Sequence, residues 1–161
     1  MSTRRIAAIA LAVAGLALAA WLLWPRKPLD DEALIREAVA QMAERAGARD
    51  VAGVVEHVSD SYRGEAGDKR ELKGYLLGYL MQSGAVAVLV PRLDVKLEGP
   101  TAASASLVVL LARTPAKKAE DVSPDQLAGT HRVEARFAKE NGVWRVVDAT
   151  RRDATAADLL R

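Results

Sequence analysis

At 161 residues with no cysteine, the chain has room for one domain with a true core, and disulfide scaffolds, thiolate metal sites and lipid attachment through Cys are excluded. The formal charge of +2 does not describe a basic surface: four of the 23 cations, Arg4, Arg5, Arg26 and Lys27, flank an apolar N-terminal run, no acid precedes Asp30, and the other cations are outnumbered by the 21 acids. No cluster resembles the basic patch that phosphate binding requires, so nucleic acid is not an expected partner.

Residues 6–24 form an uncharged run of about 19 residues, which as a helix covers about 28 Å. That matches a bilayer core of about 30 Å. Trp21 and Trp24 stand at its far end, where amphipathic rings favour the headgroup layer, and Arg4 and Arg5 hold the near end in the cytoplasm. Ala17-Leu18-Ala19 has the small-x-small form of a signal-peptidase site, but Trp21 to Trp24 carries the apolar run past it, which favours a retained anchor over a cleaved leader. Ala8 with Ala12 and Gly15 with Ala19 recur at four-residue spacing, a pattern that permits association with another membrane helix. The expected division is an anchor and linker over residues 1–28, a domain over 29–153 and a tail over 154–161. The expected location is the inner membrane, with the domain on the periplasmic side.

After the linker, Asp30 or Asp31 caps a first helix that runs to Arg45 or Ala46, with Ile35, Val39, Met42 and Ala46 as its apolar stripe and Gly47 as its stop. Asp50 caps a short second helix carrying Val51, Val54, Val55 and Val58, and Ser61 to Arg63 reads as a short strand. Asp68 and Glu71 have capping-box spacing and open a third helix, with Leu72, Tyr75, Leu76, Tyr79 and Leu80 on one stripe and Gly84 as its end. Gly74 and Gly78 inside it predict the close passage of another backbone, the Ala-rich first helix being the expected neighbour.

From Ala85 the period becomes 2. Val86, Val88 and Val90 mark one face, then Leu93, Val95 and Leu97 mark the other parity, so a bulge is expected at Pro91, which cannot donate to a ladder. A strand over residues 101–113 follows an odd-length loop at Glu98-Gly99-Pro100. Residues 115–129 form a polar insertion with one helical turn at Ser123-Pro124. The hairpin over residues 130–153 turns at Asn141-Gly142, the pair best suited to a two-residue turn with positive φ at both positions. Unbroken alternation pairs Glu140 with Val143, Lys139 with Trp144, Phe137 with Val146, Ala135 with Asp148 and Val133 with Thr150. It points His131, Val133, Ala135, Phe137, Trp144, Val146, Asp148 and Thr150 inward, and Arg132, Glu134, Arg136, Arg145, Val147, Ala149 and Arg151 outward.

Three helices with an early short strand, a long bent strand, a further strand and a closing hairpin ending in Asn-Gly-Val-Trp-Arg-Val-Val-Asp resemble the nuclear transport factor 2-like superfamily, whose members include SnoaL-like and ketosteroid isomerase-like proteins. The resemblance spans residues 31–153 and rests most on the hairpin over 137–147 and on residues 50–62 leading into the third helix. It implies an α+β cone, three helices on a curved, mostly antiparallel sheet, serving acid-base enzymes and chemically inert binding domains alike. Acid-base groups in such enzymes line the inner wall.

On that basis the expected ligand pocket is formed by Tyr75, Tyr79, His131 and Asp148. No residue is assigned a catalytic role; Asp148 is the one candidate, and a hydrogen bond that holds it as a structural carboxylate is the favoured reading. Neither a metal site nor a cofactor is expected, because the two histidines lie far apart with no carboxylate at ligand spacing and the GxxxxGK[ST] and GxSxG patterns are absent. The expected function is a membrane-anchored, non-catalytic binding or assembly domain with a small hydrophobic pocket, a monomer or weak dimer, whose partners are a small hydrophobic ligand or a membrane protein. The rival is an isomerase, dehydratase or cyclase acting on a small hydrophobic substrate through Asp148 and a tyrosine. N-terminal sequencing of the protein from the high-salt-washed membrane fraction should find the original N-terminus; a mature chain beginning at Ala20 or Trp21 would refute the anchor.

Overall fold

The computed structural model describes residues 30–155 and 157–158. The apolar run 6–24 lies outside them, and among the described residues no helix is long and apolar enough to cross a membrane. Asp30 accepts the Ala33 N–H at 2.8 Å and starts α1 (Asp31–Gly47), and Asp50 caps α2 (Val51–Val55) in the same way through Gly53. Two strands of two residues, β1 (Arg63–Gly64) and β2 (Gly67–Asp68), lead into α3 (Lys69–Ser83). The capping box at its start is present: the Asp68 carboxylate accepts from Glu71 N–H while the Glu71 carboxylate accepts from Asp68 N–H.

The main sheet has the order β3 (Ala87–Leu97), β4 (Ala102–Ala112), β5 (Leu127–Glu140), β6 (Val143–Asp153), antiparallel throughout. Its inner face and α1 enclose the core, with Ile35, Val58, Tyr62, Phe137, Trp144 and Val146 buried together. Between β4 and β5 the insertion makes two 3-10 turns, Ala119–Asp121 and Pro124–Gln126, the second beginning at the expected Ser123-Pro124.

The parity change in β3 is a bulge. Leu89 opposes Leu110 and Arg92 opposes Val108, so β3 carries one extra residue at Pro91, and Val90, Leu93 and Val95 all pack on the core. The β3–β4 loop has the expected odd length but is shifted by one, to residues 99–101, because Glu98 N–H still pairs with Ala102. Asn141 and Gly142 have φ of 51° and 82°, as their turn requires.

β6 departs from unbroken alternation. Pairing runs as expected from Glu140–Val143 to Phe137–Val146, after which Arg136 opposes Asp148, Ala135 opposes Ala149 and Val133 opposes Arg151. Val147 is therefore a bulge, and beyond it every side chain changes face. The expected inward positions of Asp148 and Thr150 are corrected: Ala149, Arg151 and Asp153 take the inner face with Ala135, Val133 and His131. The outer edge of β6 is occupied at the same level, since Val146 exchanges backbone hydrogen bonds with His57 and Ser59, and Ala149 O accepts from Glu65 N–H.

One further expectation fails. A Cβ at Gly74 or Gly78 would meet nothing within 4 Å, so no backbone passes close to α3 there, and Tyr75, Leu77 and Met81 on that helix are exposed. Arg145 faces outward as expected and is half-exposed, because its guanidinium donates to the Glu56 carbonyl and lies 3.8 Å from the Glu140 carboxylate. The start of the tail is not free: Asp158 is buried against the outer sheet face, where Arg152 grips both its oxygens at 2.7 and 2.8 Å and Thr155 donates twice. These donors hold the Asp158 carboxyl well below the usual range.

Trp144 joins the two ends of the domain. It is 3% exposed, and its indole N–H and the Lys139 ammonium both donate to Asp31 Oδ1, at 3.0 and 2.6 Å. Trp144→Ala should lower stability by about 3–5 kcal/mol in denaturant unfolding, through the cavity and the lost indole donor. Arg136→Ala, whose side chain is 69% exposed in its pair with Asp148, should cost about 1 kcal/mol or less; equal losses would refute the assignment of faces.

Candidate functional site

The open end of the sheet, away from the Asn141-Gly142 turn, is where β5 begins and β6 ends. His131 faces inward from β5 opposite Asp153, and α3 supplies Tyr79 from above. The Tyr79 hydroxyl is hydrogen-bonded to His131 Nε2, and His131 Nδ1 lies 3.1 Å from Asp153 Oδ1. A carboxylate can only accept, so the proton sits on Nδ1 and Nε2 accepts from the tyrosine O–H. The direction of the chain is then Tyr79 to His131 to Asp153.

Arg151 completes the cluster. Its guanidinium carbon lies 4.9 Å from the Tyr79 ring centroid and 5.6 Å from that of Tyr75, and the two rings are near-parallel, 5.9 Å apart. Such spacing is that of a cation held on aromatic faces. Tyr75 and Tyr79 are one helical turn apart on α3, which is why one arginine reaches both. Glycine at position 129 leaves room for the Tyr79–His131 hydrogen bond, since a Cβ there would come to 3.0 Å from His131 Nε2 and 3.5 Å from the Tyr79 hydroxyl.

Both members of the central hydrogen bond are held in their neutral forms. Burial lowers the His131 pKa below its usual 6.5, the Arg151 charge pushes it the same way, and the Asp153 carboxylate opposes them. Burial likewise raises Tyr79 above 10, against the pull of Arg151. His131 is 8% exposed, whereas Asp153 is exposed, so the chain runs from beneath α3 out to solvent.

Of the four residues expected to share a pocket, Tyr75, Tyr79 and His131 do meet. Asp148 does not. The Val147 bulge turns it to the outer face, where a single carboxylate oxygen accepts from Arg136 Nε at 2.9 Å and Nη2 at 2.6 Å. The hydrogen bonding expected of a structural Asp148 is present, from a guanidinium, but on the opposite side of the sheet. The same bulge delivers Arg151 and Asp153, both unassigned on the sequence.

The hairpin half of the interior is filled with side chains, Val58, Tyr62, Phe137, Trp144 and Val146 among them. Two surface hollows lie elsewhere, of about 770 Å³ beside the β3 bulge and about 610 Å³ beside the hairpin turn. Charged groups lining them are mostly engaged, Arg36 with Glu32 and the Leu93 carbonyl, Asp158 with Arg152, and Lys69 with Asp60. The chemistry is concentrated at His131. Among the described residues no group of three or more His, Cys, Asp or Glu side chains is placed to hold a metal ion.

No family model matches the sequence, and no curated protein matches it. Solved structures do. The chain is similar to a nuclear transport factor 2-like protein with a cystatin-like fold from Novosphingobium aromaticivorans, at 21% identity over 89% of this chain and 93% of that one, with a TM-score of 0.60. It is similar to Aln2 from Streptomyces sp., at 15% identity over 84% and 97%, with a TM-score of 0.64. A protein of unknown function with a cystatin-like fold from Nostoc punctiforme matches at 16% identity over 78% and 92%, with a TM-score of 0.61. Identities this low speak for the fold alone.

Proposed function

We propose that this chain, which has the nuclear transport factor 2-like fold, is a membrane-anchored binding domain that takes a small ligand at the Tyr75–Tyr79–His131–Arg151 end of its sheet. The observation that carries this reading is the hydrogen-bonded chain from Tyr79 through His131 to Asp153, assembled from α3, β5 and β6 beside the aromatic-held Arg151. It offers a ligand an aromatic wall, a hydroxyl and a cation within one cluster. The anchor supplied by residues 6–24 would keep the domain at the inner membrane, on its periplasmic side, close to membrane-protein partners.

Binding without chemistry is favoured over acid-base catalysis because the cluster is tuned the wrong way for proton transfer. A base poised to take the Tyr79 proton needs the two pKa values drawn together, whereas here burial raises the tyrosine and lowers the histidine. The enzyme reading survives in altered form, with Tyr79 and His131 rather than Asp148 as the proton-carrying pair, since a tyrosine aligned on a histidine that is oriented by a carboxylate is the geometry such catalysis uses.

Mass spectrometry of small molecules carried through purification of the detergent-solubilised full chain tests the reading. A molecule should accompany the parent protein and be lost from Tyr79→Phe and His131→Gln, with melting temperatures of those variants showing that the domain remains folded. Retention of the same molecule by both folded variants would place binding elsewhere and refute the proposal.

A further inference from the structure

We propose that Arg151 is the recognition group of this site and that its ligand is a small organic carboxylate with a planar apolar body. The inference rests on the binding reading above and specifies its ligand. Three observations carry it.

The first is that Arg151 is available. Arg45, Arg132, Arg136 and Arg152 are paired with Asp50, Glu134, Asp148 and Asp158, and Arg49, Arg63 and Arg113 donate to backbone carbonyls, whereas Arg151 is the arginine whose guanidinium stands beside the tyrosine–histidine cluster. Among the described residues no carboxylate oxygen lies within 4.0 Å of the Arg151 guanidinium. Glu65, the nearest acid on the neighbouring segment, spends its Oε2 on the Arg151 backbone N–H at 2.9 Å.

The second is that Arg151 is oriented. Its guanidinium carbon lies 4.9 and 5.6 Å from the centroids of two near-parallel rings, and the Tyr79 hydroxyl is within reach of the same group, so the rings and that hydroxyl fix where the fork sits. A planar fork held in place can offer two parallel N–H donors to a planar carboxylate, which the point charge of a lysine cannot reproduce. Tyr75, 42% exposed, offers uncovered aromatic surface beside those donors for the apolar body of the ligand.

The third is that the bound anion would report on the cluster. The titratable and charged groups facing His131 are Tyr79 from α3 and Arg151 and Asp153 from β6, while its β4 neighbour is Val109. Arg151 is one of the two influences that keep the imidazole neutral. A carboxylate paired with it offsets that charge, and His131 then takes up a proton at higher pH than in the free protein. Ligand binding and the histidine's proton affinity are thereby coupled, and the coupling is reciprocal.

The probe is benzoate, added to the full chain in detergent, with the His131 imidazole resonance followed by NMR across pH. Expected are saturable binding and an upward move of the His131 titration midpoint. In Arg151→Gln binding should weaken about tenfold or more and the benzoate-induced move should vanish. Equal binding by Arg151→Gln, or benzoate binding that leaves the His131 midpoint unmoved, would overturn the proposal. So would inorganic phosphate displacing benzoate at equal concentration, since that outcome defines a bare anion site. Loss of a co-purifying molecule from Tyr79→Phe but not from Arg151→Gln would retain the binding site while refuting this assignment of its ligand.

Discussion

One extra residue in β6 decides what this domain presents to a ligand. Val147 stands between two stretches of regular antiparallel pairing, and because a strand's side chains alternate, the insertion exchanges the faces of everything that follows it. Before the bulge Trp144 and Val146 enter the core; after it Ala149, Arg151 and Asp153 do the facing inward. Unbroken alternation would send Arg151 into solvent and leave His131 without its carboxylate. The bulge is held from the far edge of the strand as well, where Val146 bonds to the 57–59 segment and Ala149 O to Glu65 N–H. Register there is fixed by hydrogen bonds on both sides of β6 as well as by its hydrophobic pattern.

That single feature divides the domain into two ends with different duties. At the hairpin turn the interior is close-packed, and Asp31 draws the start of α1 onto Trp144 and Lys139, whose donors lower its carboxyl pKa. At the other end α3 reaches the sheet through Tyr79, and polar side chains replace the apolar core. The outer face is tied separately, by Arg132, Ser106 and Glu134 and by Arg152 with Asp158, so its charges satisfy one another across the strands. A rigid base with a polar rim is the arrangement on which a binding site can be varied without disturbing the fold.

Much of this was legible in the sequence because local chemistry dictated it. Asp30, Asp50 and Asp68 cap helices as their spacing demands, Asn141-Gly142 makes the turn, and the switch from Val90 to Leu93 revealed the β3 bulge through a change of parity. The β6 bulge leaves the same kind of mark, since apolar residues move from Trp144 and Val146 to Val147 and Ala149. It was obscured because Asp148 and Thr150 kept an unbroken alternation formally possible, and the 57–59 and 65 contacts that favour the bulge come from distant segments. Tyr79 and His131 could be placed near one another from helix stripe and strand parity. Arg151 and Asp153 could not, because their face depends on the bulge. Gly74 and Gly78 misled for a different reason: glycine in a helix permits close approach without requiring it.

The register beyond Val147 is directly measurable in a chain with no cysteine of its own. Directly opposed residues on one face have Cα atoms about 4.5–5.5 Å apart with their Cβ atoms on the same side, within the range a disulfide spans, whereas residues on opposite faces point apart. With Val133→Cys combined with Arg151→Cys, mild oxidation should close an intrachain bond; with Val133→Cys and Thr150→Cys it should not. The reverse result, closure at 150 and none at 151, would show alternation running unbroken through Val147 and would remove Arg151 and Asp153 from the site.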